Sequence, residues 1–294
     1  MKKVIALVGP TAVGKSDLAI DLALKIDGEV INADAMQLYQ DLDIATAKVP
    51  LSDRKGVVHH LLDIYPVSKE ASVAEFQSLA REKIKEVLAK DKYPILVGGS
   101  GLYVTAVLDD LSFQITDKAI RDKYQTRADK GEDLYAELKN KDPMAAENIL
   151  PGNVRRIVRA LEVIEITGKP FSATLPKAKN VFVDLRIGLE LDREILDSRI
   201  ALRVEKMFEM GIVEEVKSLA SKLGVTARKA LGVSQVLDFL AGRIDLATAK
   251  EETVTATRKF SRRQMSWFRR DNKITWLNAQ DEDLFEQAHR LGSK

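Results

Sequence analysis

Apolar positions open the chain as a short β-branched run, VIALV at 4–8, that ends in a glycine turn. Such a run, closed by turn residues, predicts a buried strand. SDLAIDLALKI follows at once with apolar positions three and four apart, which predicts a helix stopped by Gly28. EVINAD then reads as a second strand ending at Asp34, SVAEFQSLAREKIKEVLAK as a second helix, and YPILVGGSGLY as a third strand closing in another glycine turn. Strands alternating with helices imply an α/β protein, a parallel sheet covered on both faces.

From about residue 113 to 180 the strand pattern stops, and charged helical text takes over, punctuated by Gly131, Pro143, Pro151, Gly152 and the TGKP turn. VFVDLRIGLEL resumes a strict alternation, with Val181, Val183, Leu185, Ile187, Leu189 and Leu191 on one face. That marks a return to the sheet, so the core is expected to be discontinuous: residues 1–112 and 181–294, with 113–180 as a helical insertion. Two or three helices complete the chain, among them DSRIALRVEKMFEMGIVEEVKSLASKL and a basic one ending in RRQMSWFRRD.

Composition narrows this picture in two places. The absence of cysteine removes disulfides, thiolate nucleophiles and cysteine-held zinc together, and fits a reducing cytoplasm. The N-terminal apolar stretch is too short for a membrane span and leads into a glycine loop rather than a cleavage site, so neither membrane nor export is expected. With 46 basic and 44 acidic side chains the net charge is only +2, too little for the overall field to attract a polyanion. Local charge has to do that.

The chemistry begins at GPTAVGKS, residues 9–16. Gly9, four residues, then Gly14, Lys15 and Ser16 is the spacing of a phosphate-binding loop, whose glycines let successive backbone amides converge on a polyphosphate. Pro10, Thr11, Ala12 and Val13 complete the cradle, Lys15 supplies a cation, and the Ser16 hydroxyl is the usual ligand for Mg2+. Asp34 ends the second strand at the same sheet edge, where open α/β sheets bind ligands. A carboxylate there suits a base, and equally suits a cap for the amides after Ala35. Ser100, in the GGSG turn, stands at that edge too, as a phosphate donor or as part of a plain turn. The third strand ends without the acid that nucleotide hydrolases carry, so a small-molecule kinase and a transferase using another diphosphate both stay open.

Two basic segments point further. NVRRIVRALEV places Arg155 and Arg159 on one face of a predicted helix with Arg156 beside them. TRKFSRRQMSWFRRDNK holds seven basic side chains against one aspartate, with Phe260, Trp267 and Phe268 among them, a mixture that suits RNA or simply a solvated helix face over a core. Arg199 and Arg203 share another face, and spacing alone leaves open whether they pair with Asp197 and Glu205 or reach the crevice. His59 and His60 are adjacent, point apart and lack a nearby partner, which favours packing or a substrate contact over metal binding.

Taken in order, GPTAVGKS, INADAMQLYQDLDIATAK, HHLLDI, SVAEFQ, PILVGGSGLY, NVRRIVRALEVIEITGKP and TRKFSRRQMSWFRRD resemble the bacterial tRNA dimethylallyltransferases over nearly the whole chain. The resemblance implies transfer of a dimethylallyl group from dimethylallyl diphosphate to the exocyclic amine of the tRNA adenosine just 3′ of the anticodon, by a monomeric cytoplasmic enzyme using Mg2+. It implies that Thr11 to Ser16 and Arg203 bind diphosphate, that Asp34 is the general base, and that Asp34, Ala35, Met36 and Gln37 meet the target nucleotide. Ser100 stands where the family usually has threonine. Arg121 and the run Arg155, Arg156, Ile157, Val158 and Arg159 match tRNA contacts. Two departures accompany it: GVSQ at 232–235, where the family often has glycine, tyrosine, lysine and glutamate, and Ala45, where it often has glycine. A kinase and a non-catalytic RNA-binding protein remain the competing readings.

Overall fold

The computed structural model describes residues 2–111, 116–172 and 180–292. Six parallel strands form one sheet in the order β3-β2-β4-β1-β5-β6: β1 (Val4–Val8), β2 (Gly28–Asn32), β3 (His59–His60), β4 (Tyr93–Gly98), β5 (Asp184–Glu190) and β6 (Ile274–Asn278). β1 and β2 are buried at every position, because helices cover both faces of the sheet. On one side lie α1 (Lys15–Ile26), α8 (Arg193–Glu209) and α12 (Leu284–Gly292); on the other α2 (Val73–Ala89), α3 (Gly101–Leu108), α9 (Ile212–Leu219) and α10 (Val233–Leu240). α11 (Leu246–Phe268) packs along α8 and α10. The chain builds outward from β1 in one direction and later in the other, so the strand order reverses beside β1, where such sheets open a ligand crevice at the carboxyl ends of their strands.

The core unit runs to Asp109 and resumes at Asn180. The intervening unit is helical: α4 (Lys118–Asp129), α5 (Leu134–Lys141), α6 (Pro143–Asn148) and α7 (Val154–Thr167), around Tyr124, Leu138, Ile157 and Leu161. The side chains of Asp117, Asp133, Asp142 and Asn153 each accept from amides of the helix that follows, so its starts are written in the sequence. At the junction, Asp109 and Asn180 form an antiparallel bridge, and Val181 N donates to the Leu108 carbonyl at 2.8 Å.

Four elements differ from the sequence pattern. β5 begins at Asp184, and Val181 and Val183 lie outside it, exposed. The strict alternation overstated a one-sided strand: Arg186, on the other face, is also buried, neutralised by Asp109 at 2.7 Å and Asp184 and Asp271 at 2.6 Å. The long helical stretch from 197 is two helices, broken at Gly211 with φ +97°. β3 and β6 are strands that no pattern in the sequence announced, the first because two residues carry no periodicity. No helix among the described residues is long and apolar enough to cross a membrane.

Candidate active site

Buried β1 delivers the chain to Gly9 at φ +142°, where a Cβ would stand 2.6 Å from the Leu189 carbonyl oxygen of β5. Only glycine lets the loop leave the sheet there. Gly14, at φ +104°, then starts α1, whose free amides and positive dipole end face the loop. Two cations line it. Lys15 Nζ donates to the Pro10 carbonyl at 2.7 Å, and Arg203 Nη1, arriving from α8, donates to Thr11 Oγ1 at 3.2 Å. Arg203 therefore reaches the crevice, while Asp197 pairs with Arg262 and Glu205 with Lys250. Burial pushes Lys15 down to about 8, with Asp34 opposing the shift and Arg203 adding to it.

That value makes anion binding sensitive to alkali. Lys15 is charged below about 8 and loses its proton above it, so affinity for inorganic diphosphate is expected to hold below that pH and to weaken up to about tenfold per pH unit beyond it. Calorimetric titrations across the range measure this, and Lys15→Arg, which stays charged, should flatten the decline.

Asp34 is aimed by its neighbours. Asn32 Nδ2 donates to the carbonyls of Asp34 and Leu61, both at 3.0 Å, and its Oδ1 accepts from Asp34 N at 2.8 Å. Asp34 Oδ1 accepts from Met36 N at 3.0 Å, so the capping role is real. Its charge is nonetheless felt by both Lys15 and Arg203, which a surface cap would not be. Ser100 Oγ accepts from Ala35 N at 3.2 Å and ties the GGSG turn to the segment after Asp34. Loop, carboxylate and turn line one crevice of about 900 Å³, whose walls include Val49, Leu51, Leu202, Met207 and Met210, so a polar floor meets an apolar side. The arrangement can hold an anionic group, shelter a short hydrocarbon and take up a proton.

An IPP transferase family model matches residues 37–271. The chain belongs to the IPP transferase family. A tRNA dimethylallyltransferase from Salinispora arenicola is 53% identical to it, over 98% of this chain and 85% of that protein. Among solved structures, the tRNA isopentenylpyrophosphate transferase of Bacillus halodurans superposes with TM-score 0.73 at 36% identity, covering 100% of this chain and 95% of the other. A eukaryotic dimethylallyltransferase acting on tRNA reaches TM-score 0.84 at 30% identity, covering 98% and 76%.

In this member of the family several site residues escaped the sequence reading. Gln264 of α11 is buried: its Oε1 accepts from Thr11 N and its Nε2 donates to the Gly99 carbonyl, both at 2.9 Å, which links the phosphate loop to the GGSG turn. Gly99 has no side chain because a Cβ would lie 2.0 Å from Gln264 Nε2. The buried stripe of α11 runs Ala249, Thr253, Thr257, Ser261, Gln264 and Phe268, mostly small and polar, so no hydrophobic periodicity betrays it. Asn32 is a second such residue. Of the histidines, His59 lines the crevice with Nδ1 at 2.9 Å from the Val57 carbonyl, and burial lowers its pKa. His60 pairs with Glu29 at 2.7 Å. The departures from the family pattern fit locally: Ala45 donates its amide to Glu215, and Gln235 Oε1 accepts from Gly232 N at 3.0 Å, starting α10.

The insertion gathers its own cations on one carboxylate. Glu162, fully buried, accepts from Arg121 at 3.1 and 3.0 Å, from Arg159 at 2.8 Å and from Asp117 N at 2.9 Å. These bonds outweigh its desolvation and hold its pKa below the ordinary glutamate value. Arg155 and Arg156 are exposed. Ile157 and Val158 are not: both side chains are in the insertion's core, because α7 turns them inward between the arginines. Tyr39 and Tyr103 are buried and offer no stacking face, whereas Trp267 of the C-terminal basic segment is 42% exposed. Its ring lies over Gly101, and Nε1 donates to Thr105 Oγ1 at 3.3 Å.

Proposed function

We propose that this chain transfers a dimethylallyl group from dimethylallyl diphosphate to the exocyclic amine of the adenosine 3′ to the anticodon in tRNA, releasing diphosphate. The observation that carries the reading is one crevice lined together by a phosphate loop, the Lys15 and Arg203 cations and the Asp34 carboxylate. The relatives' names supply the substrate class, and a small-molecule kinase finds no support among them.

In this reading the loop amides, Lys15 and Arg203 bind the diphosphate and stabilise the charge it gains on leaving. The amine nitrogen attacks the allylic carbon, the carbon–oxygen bond breaks with its electron pair going to diphosphate, and the Asp34 carboxylate takes the amine proton. The apolar wall excludes water from the developing allylic cation. The acceptor base has to leave its stack to reach this depth. Arg121, Arg155, Arg156 and Arg159 serve as phosphate contacts for the anticodon stem, and Trp267 as a stacking surface. No group of three or more His, Asp or Glu able to hold a metal occurs among the described residues. The Ser16 hydroxyl in the crevice suits a hard cation that brings most of its oxygen ligands with the diphosphate. Mg2+ bound there supplies Lewis-acid neutralisation of the leaving group.

The test combines the protein, Mg2+, labelled dimethylallyl diphosphate and an unmodified anticodon stem-loop. Label is expected in the RNA at the adenosine 3′ to the anticodon, with one diphosphate released per transfer. Unlabelled RNA, with ATP consumed when small acceptors are offered, would overturn the reading in favour of a kinase.

A further inference from the structure

One wall of the crevice, the loop from Asp43 to Lys48, has no regular structure and is pinned by a single carboxylate outside the site. Glu215 on α9 accepts from three successive amides: Oε2 from Asp43 N at 2.9 Å and Ile44 N at 2.8 Å, and Oε1 from Ala45 N at 2.9 Å. Bonds to an ionised carboxylate are about twice as strong as neutral ones, so this anchor fixes the path of the loop. Lys48 fixes its far end. Its buried ammonium donates to the Tyr39 carbonyl at 2.5 Å, to Asp43 at 2.8 Å and to Asp63.

The pinned loop has one further partner. Gln37 Nε2 donates to the carbonyls of Thr46 at 3.1 Å and Ala47 at 3.4 Å. An amide whose nitrogen faces two carbonyls cannot flip without setting oxygen against oxygen. With the nitrogen committed to the loop, the remaining polar atom of this crevice-lining side chain is Oε1, an acceptor. Adenine presents an N–H donor on its exocyclic amine, whereas guanine and hypoxanthine present a carbonyl oxygen at the same ring position.

We propose that Glu215 is a positioning residue for acceptor choice: by pinning the 43–47 loop it holds Gln37 as a fixed acceptor, so that a 6-amino purine is received and a 6-keto purine refused. The inference rests on the tRNA-prenylation reading of the site. Its test starts with label transfer by the unaltered protein, whose failure would sink that reading. Equilibrium binding of stem-loops carrying adenosine or inosine at the target position is then measured without prenyl diphosphate. The unaltered protein should prefer adenosine by about tenfold or more. In Glu215→Gln, where an NH2 group replaces one acceptor, the preference should fall to about twofold while inorganic diphosphate affinity stays within threefold. Gln37→Leu should lose the preference equally, and the double variant should be no worse than either single one, since residues acting in series are not additive. Transfer that proceeds normally while folded Glu215→Gln keeps its adenosine preference would overturn the proposal, whatever Gln37→Leu does. If Glu215→Gln does not fold, a retained preference in Gln37→Leu decides against it alone.

Discussion

Asp34→Asn is expected to lower the single-turnover rate of prenyl transfer by about 10²- to 10⁴-fold, the usual worth of a general base, with little change in affinity for the stem-loop. The substitution separates two roles that share one side chain. Asparagine keeps Oδ1, so the bond from Met36 N that shapes the segment survives. It cannot take a proton from the amine. It also removes the negative charge that opposes the fall in the Lys15 pKa, so the alkaline loss of diphosphate affinity should begin at a lower pH than in the unaltered protein. Rapid-quench transfer assays and calorimetry with diphosphate measure the two effects. A rate within threefold of normal would leave Asp34 as a cap alone.

Gln264→Leu has the second largest expected effect, and acts by misalignment rather than by loss of a reacting group. Leucine leaves the part-buried Thr11 N–H and the buried Gly99 carbonyl without their partner, a cost of up to about 1–3 kcal/mol for each. In a chain of this size that corresponds to a melting temperature lower by roughly 3–10 °C. The loss to catalysis should exceed the loss to stability. Thr11 belongs to the loop that holds the leaving group, and the turn from Gly99 carries Ser100, which meets Ala35 beside Asp34. Freed from each other, the two halves of the site need shift only about 1 Å to cost about 10²-fold in rate. Gln264→Glu keeps an acceptor for Thr11 N and loses the donor to Gly99, so it should fall between. Transfer at the normal rate in a folded Gln264→Leu protein would show that the bridge does not align the site.

The parts of the fold that the sequence made legible are those with a local cause. β1 and β4 are apolar on both faces, and the glycine spacing of 9–14 reports a backbone need rather than a side-chain contact. The parts that stayed hidden depend on distant partners. Arg186 is buried on the polar face of β5 because Asp109 and Asp271, distant in the chain, join Asp184 of its own strand in receiving it, and Gly211 divides a continuous helical pattern at one residue. The site divides the same way. The loop and the position of Asp34 at the sheet edge followed from order along the chain. Arg203 and Arg199 were indistinguishable by spacing, and only the direction of α8 brings Arg203 to Thr11. Gln264 and Glu215 act on atoms 253 and about 170 residues away, which no periodicity records.

The bridge between Asp109 and Asn180 has a consequence for modularity. Both strands of chain that leave the core do so side by side, joined by backbone bonds and by Lys273, which reaches Asp109 at 3.3 Å and Asn180 at 2.5 Å. A hairpin turn of about two to five residues would close that gap. Every strand of the sheet and the whole phosphate loop come from the residues on either side of the helical unit, so the unit can be spanned without rethreading the sheet.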